Sequence, residues 1–194
     1  MRRLGLVALG LLLFFGCASK NMNIVYTLPD EKPLKLRHIF LQVDDVRTDK
    51  EILSPAVRNM KVFSGVGGFV NLVTKASQGG PQEFKGARIK KAFEEALRQR
   101  LESLGVGLPA KSDPEKGTIL IEVERFWLDL KGNSFKAEVT YAATFSKGGK
   151  ALNKERISGR THRYNLLGLG TGEKTLSEAF SMAVNNLDLD SLNK

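Results

Sequence analysis

Apolar residues recur along this chain with two periods. From Leu36, "LRHIFLQV" sets Ile39, Leu41 and Val43 on one face and His38, Phe40 and Gln42 on the other, the period of two that predicts a strand. Between Phe84 and Leu104 the apolar positions Ile89, Phe93, Ala96, Leu97, Leu101 and Leu104 fall three and four apart. That spacing predicts a helix, and Gly105 stops it. Lys91 with Glu95 and Glu94 with Arg98 stand four apart on its polar side, where opposite charges can meet. Three strands are predicted next. Ile119, Ile121 and Val123 alternate, then Phe126, Leu128 and Leu130 continue one residue out of step, so a bulge is expected between Glu124 and Phe126. Phe135, Ala137, Val139, Tyr141, Ala143 and Phe145 alternate without a break, and a weaker strand runs from about Asn153 to Tyr164. The intervening "KGN" and "KGGKA" suit tight hairpins. Finally, Leu176, Phe180, Val184 and Leu187 predict a helix over Thr175–Leu189, with Thr175 and Glu178 as a capping box.

The resulting order is β-α-β-β-β-α. Its expected form is an α+β two-layer sandwich, an antiparallel four-stranded sheet with two helices on one face, because that arrangement buries every apolar stripe. Residues 36–194 are read as a single domain. Residues 17–35, polar and carrying Pro29 and Pro33, are read as an extended tether.

The first 16 residues change the picture. Arg2 and Arg3 precede an apolar run, Leu4 to Phe15, which falls short of the roughly 20 residues a membrane-spanning helix needs and reads as an export signal. Directly after Gly16 comes Cys17, the single cysteine of the chain. The junction resembles the lipobox of bacterial lipoproteins, in which that cysteine is acylated and becomes the new N-terminus; Phe14 and Phe15 depart from the usual pattern. Ala18 and Ser19 follow, where an inner-membrane lipoprotein commonly has aspartate. The resemblance implies a periplasmic protein anchored by acylated Cys17 to the outer membrane. No second cysteine remains for a disulfide or a thiolate metal site.

The whole chain carries a formal charge of +9, and removing residues 1–16 takes away two arginines and leaves about +7. In the periplasm a basic surface meets anionic lipid headgroups or an acidic envelope protein rather than nucleic acid. Catalytic signals are absent from the motifs. "GLGTGEKT" at Gly168–Thr175 interposes Glu173 between glycine and lysine, so it reads as the lead-in to the last helix and not as a phosphate loop. Glu122 and Glu124 read as the solvated face of a sheet, and His38 and His162 as ordinary strand residues. No metal, cofactor or catalytic residue is expected, and the protein is read as non-enzymatic.

Two features point to a partner. The segment from Val62 to Gly80, with Phe63, Phe69, Leu72 and several glycines, is either a core excursion joining strand to helix or an exposed apolar flap. Trp127, beside the expected bulge, is the other candidate contact. The lipobox-like start, "DDVRTDKEIL" with Asp45 and Arg47, the helix ending in "LESLGV" and the final "SEAFSMAVNNL" resemble the YajG-type family of outer-membrane lipoproteins. That resemblance implies a periplasmic module without assigned catalysis. "VYTLP" at Val25–Pro29 is similar to the tether of ABC-transport auxiliary lipoproteins, which implies the alternative of an accessory protein in lipid transport.

Overall fold

The unbroken alternation from Phe135 to Phe145 becomes the centre of the larger of two sheets. A computed structural model of the protein describes residues 20–35, 38–75, 80–111 and 117–189. Within them the chain forms β1 (Lys20–Thr27), β2 (Ile39–Asp45), α1 (Pro55–Arg58), β3 (Val66–Lys75), β4 (Gln82–Ala87) and α2 (Ile89–Ser103), then β5 (Gly117–Lys131), β6 (Ser134–Lys147), β7 (Lys150–Tyr164) and α3 (Leu169–Asn185). Cys17 and the apolar run before it lie outside the described residues.

The expected meander is β5, β6 and β7, antiparallel throughout, with the ladder slipping between Val123 and Arg125 where the apolar pattern changes step. Gly132 and Gly148 sit at positive φ in its two turns. Helix α2 ends as expected. Gly105 at φ 78° lets its N–H reach the Glu102 carbonyl (3.0 Å) and the Val106 N–H reach that of Leu101 (3.0 Å).

The single antiparallel sheet needs correction. The larger sheet has the order β2-β5-β6-β7 with β2 parallel to β5, and a second sheet has the order β1-β3-β4 with β1 parallel to β3. Three strands were concealed in sequence. Residues 20–27, expected as tether, are β1, where Met22, Ile24 and Tyr26 alternate into the core. The centre of the glycine-rich apolar segment is β3, and Phe84 to Ala87, expected as the first turn of the helix, belongs to β4. Helix α3 packs on β6 and β7 of one sheet and β1 of the other, while α2 packs on β2, β3 and β4, so the helices join both sheets into one core. Phe93 of α2 lies edge-on to Phe180 of α3 (5.0 Å between centroids) and to Tyr141 of β6 (5.6 Å).

Helix α3 begins at Leu169, six residues before the expected capping box. Thr175 is inside the helix, its hydroxyl donating to the Thr171 carbonyl (2.7 Å), and Glu178 serves a different purpose. Of the glycines in this first turn, Gly172 is placed by packing. A Cβ on Gly172 would stand 2.7 Å from the Phe63 ring. Along the same helix, Glu173, Ser177 and Ser181 recur every four residues beside the outer edge of β1. Glu173 accepts from the Asn23 N–H (2.8 Å), Ser177 accepts from the Val25 N–H (3.0 Å) and Ser181 donates to the Val25 carbonyl (3.3 Å). These bonds satisfy an edge that would otherwise invite another strand.

Charged side chains fasten the helices. Arg100, 3% exposed, donates to Glu31 (2.6 and 2.9 Å) and to the carbonyls of Val184 (2.6 Å) and Leu187 (3.1 Å) at the end of α3. On α2, Lys91 pairs with Glu95 as expected, but Arg98 also turns to Glu95 and not to Glu94. Arg163 of β7 grips the Glu178 carboxylate, and this bond, more than any other cause, holds the Glu178 pKa below its ordinary value. A depressed folded-state pKa gives stability that is complete above the unfolded value near 4.5 and lost as pH falls through the folded value. Glu178→Gln should therefore lower the melting temperature at neutral pH, with variant and wild type converging as pH falls through the folded-state value. Melting curves across pH check this.

Candidate functional site

Alternation decides the fate of the four predicted contact residues. In β3, Val70 and Leu72 point into the core, so Leu72 is buried and Phe69, one step out of phase, is 41% exposed with the Arg88 guanidinium over its ring at 5.9 Å. Phe63, in a 3-10 turn before β3, is fully buried against Phe135. Phe63 and Leu72 are thus core residues and not partner contacts. The apolar flap is likewise corrected to a 3-10 turn and a strand as far as Lys75, with Phe69 and Val62 as its exposed large apolar side chains, while residues 76–79 lie outside the described residues.

Trp127 faces the other way from the core. The bulge after Val123 turns Phe126 and Leu128 inward, and with them it turns Arg125, Trp127 and Asp129 onto the open face of the larger sheet. There Trp127 is half-buried, with the Arg125 guanidinium 5.7 Å from its ring, beside a groove of about 400 Å³ lined also by Lys136, Arg160 and His162. Glu138 bonds both Arg125 (2.9 Å) and Arg160 (2.7 Å). Farther along the sheet Arg156 meets Glu124 (2.6 Å) and Lys154 meets Glu122 (3.7 Å), so each of the two glutamates has a basic cross-strand neighbour. The arrangement offers an aromatic surface framed by paired charges, suited to contact. Among the described residues no group of three His, Cys, Asp or Glu side chains is placed to hold a metal ion.

Asp45 and Arg47 form a structural clasp. Arg47, 6% exposed, grips Asp45 through two bonds of 2.9 Å, and Lys50 adds a third. Burial works against the Asp45 carboxylate, yet these bonds outweigh it and hold its pKa below the ordinary value. Burial also pushes the hydroxyls of Tyr26 and Tyr141 well above the usual phenol range, leaving them as neutral donors to Asn185 Oδ1 (3.0 Å) and the Ala183 carbonyl (3.0 Å).

The most exposed apolar residues were not singled out in sequence. Tyr164, Leu166 and Leu167 are 70, 83 and 81% exposed at the junction of β7 and α3. Their only signal is an apolar run, "YNLLGLG", between a strand and a helix. The loop is held firmly: Asn165 N–H donates to the Asn133 carbonyl (2.9 Å), Gly168 N–H to Asn165 Oδ1 (3.0 Å) and Leu167 N–H to the Thr171 hydroxyl (3.0 Å).

No family model and no curated protein matches the sequence. Among solved structures the chain is similar to a DUF330 protein from Xanthomonas campestris, with a TM-score of 0.51 and 14% identity over 87% of this chain and 91% of that one. It also aligns with a candidate lipoprotein from Caulobacter crescentus, with a TM-score of 0.38 and 13% identity over 52% of this chain and 78% of that one. The Xanthomonas likeness is one of fold, and the family it names is DUF330, not the YajG type. No described helix is long and apolar enough to cross a membrane.

Proposed function

We propose that the protein is a non-enzymatic lipoprotein, held by acylated Cys17 on the periplasmic face of the outer membrane, that binds a partner protein or lipid in organising the envelope. The observation that carries this reading is the junction at Cys17, where an apolar run of export-signal length meets a small residue and the sole cysteine. Structure adds a consequence. Lys20 already belongs to β1, its N–H bonded to the Gly65 carbonyl (3.0 Å), so the acyl-bearing residue lies only three positions from a folded strand. Three residues span at most about 11 Å, which keeps the folded module against the bilayer and not on a long leash.

A second reading, an accessory lipoprotein of an ABC-type lipid transporter, is supported by the place of "VYTLP". Those residues are built into the module: Tyr26 is fully buried, and Leu28 N–H donates to the Lys75 carbonyl (2.9 Å). Crosslinking and pull-down from envelope membranes separates the two. Porins or assembly factors are expected for the organising role, a transporter permease or substrate-binding component for the second, and recovery in the soluble fraction contradicts both.

A further inference from the structure

Around the start of β1 the structure gathers features that are distant in sequence. Lys20 Nζ donates to the Val62 carbonyl (3.4 Å), Val62 is 44% exposed, and a Cβ placed on Gly168 would lie 3.3 Å from the Val62 side chain. Gly168 closes the loop that presents Tyr164, Leu166 and Leu167 to solvent. The β5–β6 turn, with Lys131, is tied to the same loop through the Asn165–Asn133 bond. Lys20, Lys61, Lys131 and Lys174 are exposed at this end. Its carboxylate Glu173 is engaged by the backbone and side-chain amides of Asn23 (2.8 and 3.0 Å).

We propose that the loop bearing Tyr164, Leu166 and Leu167, with these lysines around it, is a second membrane-contact site that seats in the headgroup layer of an anionic phospholipid bilayer. The proposal rests on the reading of Cys17 as the lipid anchor. Three arguments carry it. The chain leaves the described structure at Lys20, beside this loop, so the anchor can reach only the bilayer that this end faces. Leucine and tyrosine side chains that stand more than two-thirds exposed on a hydrogen-bonded loop are suited to the acyl–headgroup boundary, whereas in water they are only a cost. The lysines match anionic headgroups, and a basic surface beside an acyl chain is the kind of second signal that makes anchoring durable. With two points of contact the module is oriented, and the open sheet face with Trp127 is held at a fixed angle to the membrane.

The test uses the protein extracted from membranes and reconstituted in vesicles of phosphatidylethanolamine and phosphatidylglycerol. An acylated Cys17 takes no thiol label, so Leu167→Cys and Leu152→Cys each receive a single polarity-sensitive fluorophore. Leu152 is the control because it is 65% exposed but lies at the opposite end of β7, about 40 Å away at the rise of an extended strand. Expected are a blue shift and strong quenching by nitroxide-bearing lipids at position 167, with neither at position 152. Emission at 167 as water-like as at 152 overturns the loop contact while the anchor stands. A blue shift at 167 without lipid quenching means a protein covers the loop, and also overturns it. If the wild-type protein takes up one label, Cys17 is free and the anchor reading fails, taking this inference with it.

Discussion

Gly159→Ala is expected to destabilise the protein severely, although alanine is otherwise the better strand residue. Gly159 lies in β7 under α3, and a Cβ there would stand 2.0 Å from the Ala179 carbonyl oxygen and 2.6 Å from the Ala183 nitrogen. Both are helix backbone, so no side-chain rotation relieves the clash. The helix must lift from the sheet, and with it go the contacts of Phe180 and Val184 in the core. Overpacking of this kind costs about 3 kcal/mol or more, a fall in melting temperature of about 10 °C for a chain of this length. Gly67→Ala is the control, since nothing lies within 4 Å of a Cβ there, and it should be neutral or slightly stabilising. A Gly159→Ala protein that melts with the wild type would show that α3 does not pack this closely on β7.

Arg100→Met should be comparably damaging. Methionine fills similar space, so what is lost is the set of bonds to Glu31, Val184 and Leu187. Two carbonyls at the end of α3 then lose a buried donor, and the segment after β1 loses its hold on α2. A loss of about 2–4 kcal/mol is expected, read as a lower denaturant midpoint. Arg100→Lys should recover only part of it, because an ammonium cannot reproduce the planar fork. Equal midpoints for wild type and Arg100→Met would contradict the clamp.

The elements that sequence displayed clearly are those with local cause. The β5–β7 meander and the end of α2 were legible because alternation, glycine turns and helix-stop chemistry all act between near neighbours. Even the bulge was visible, as a slip in phase at Glu124. Concealed elements depend on distant partners. β3 looks irregular by its glycines, yet it is ordered by β1 on one side and β4 on the other. β1 carries alternating Met22, Ile24 and Tyr26, but the prolines behind it suggested a tether. The start of α3 runs through glycines that favour a loop by propensity, and at one of them, Gly172, the Phe63 ring leaves no room for a Cβ.

The site was legible in the same uneven way. Of the predicted contacts, Trp127 and Phe69 reach the surface, since each falls on the outward phase of its strand. Phe63 and Leu72 are core, which composition alone could not decide. Leu166 and Leu167 escaped notice because an apolar pair before a helix ordinarily packs beneath it. Here Leu167 N–H donates to the Thr171 hydroxyl and Gly168 N–H to Asn165 Oδ1, and the pair stands outward.

The central claim is the lipid anchor at Cys17, and intact-mass analysis of the protein extracted from membranes tests it most directly. The account predicts a chain beginning at residue 17 whose mass exceeds that of the polypeptide by two or three acyl chains and the glycerol that links them. A chain with residues 1–16 removed and a free Cys17 thiol would contradict it.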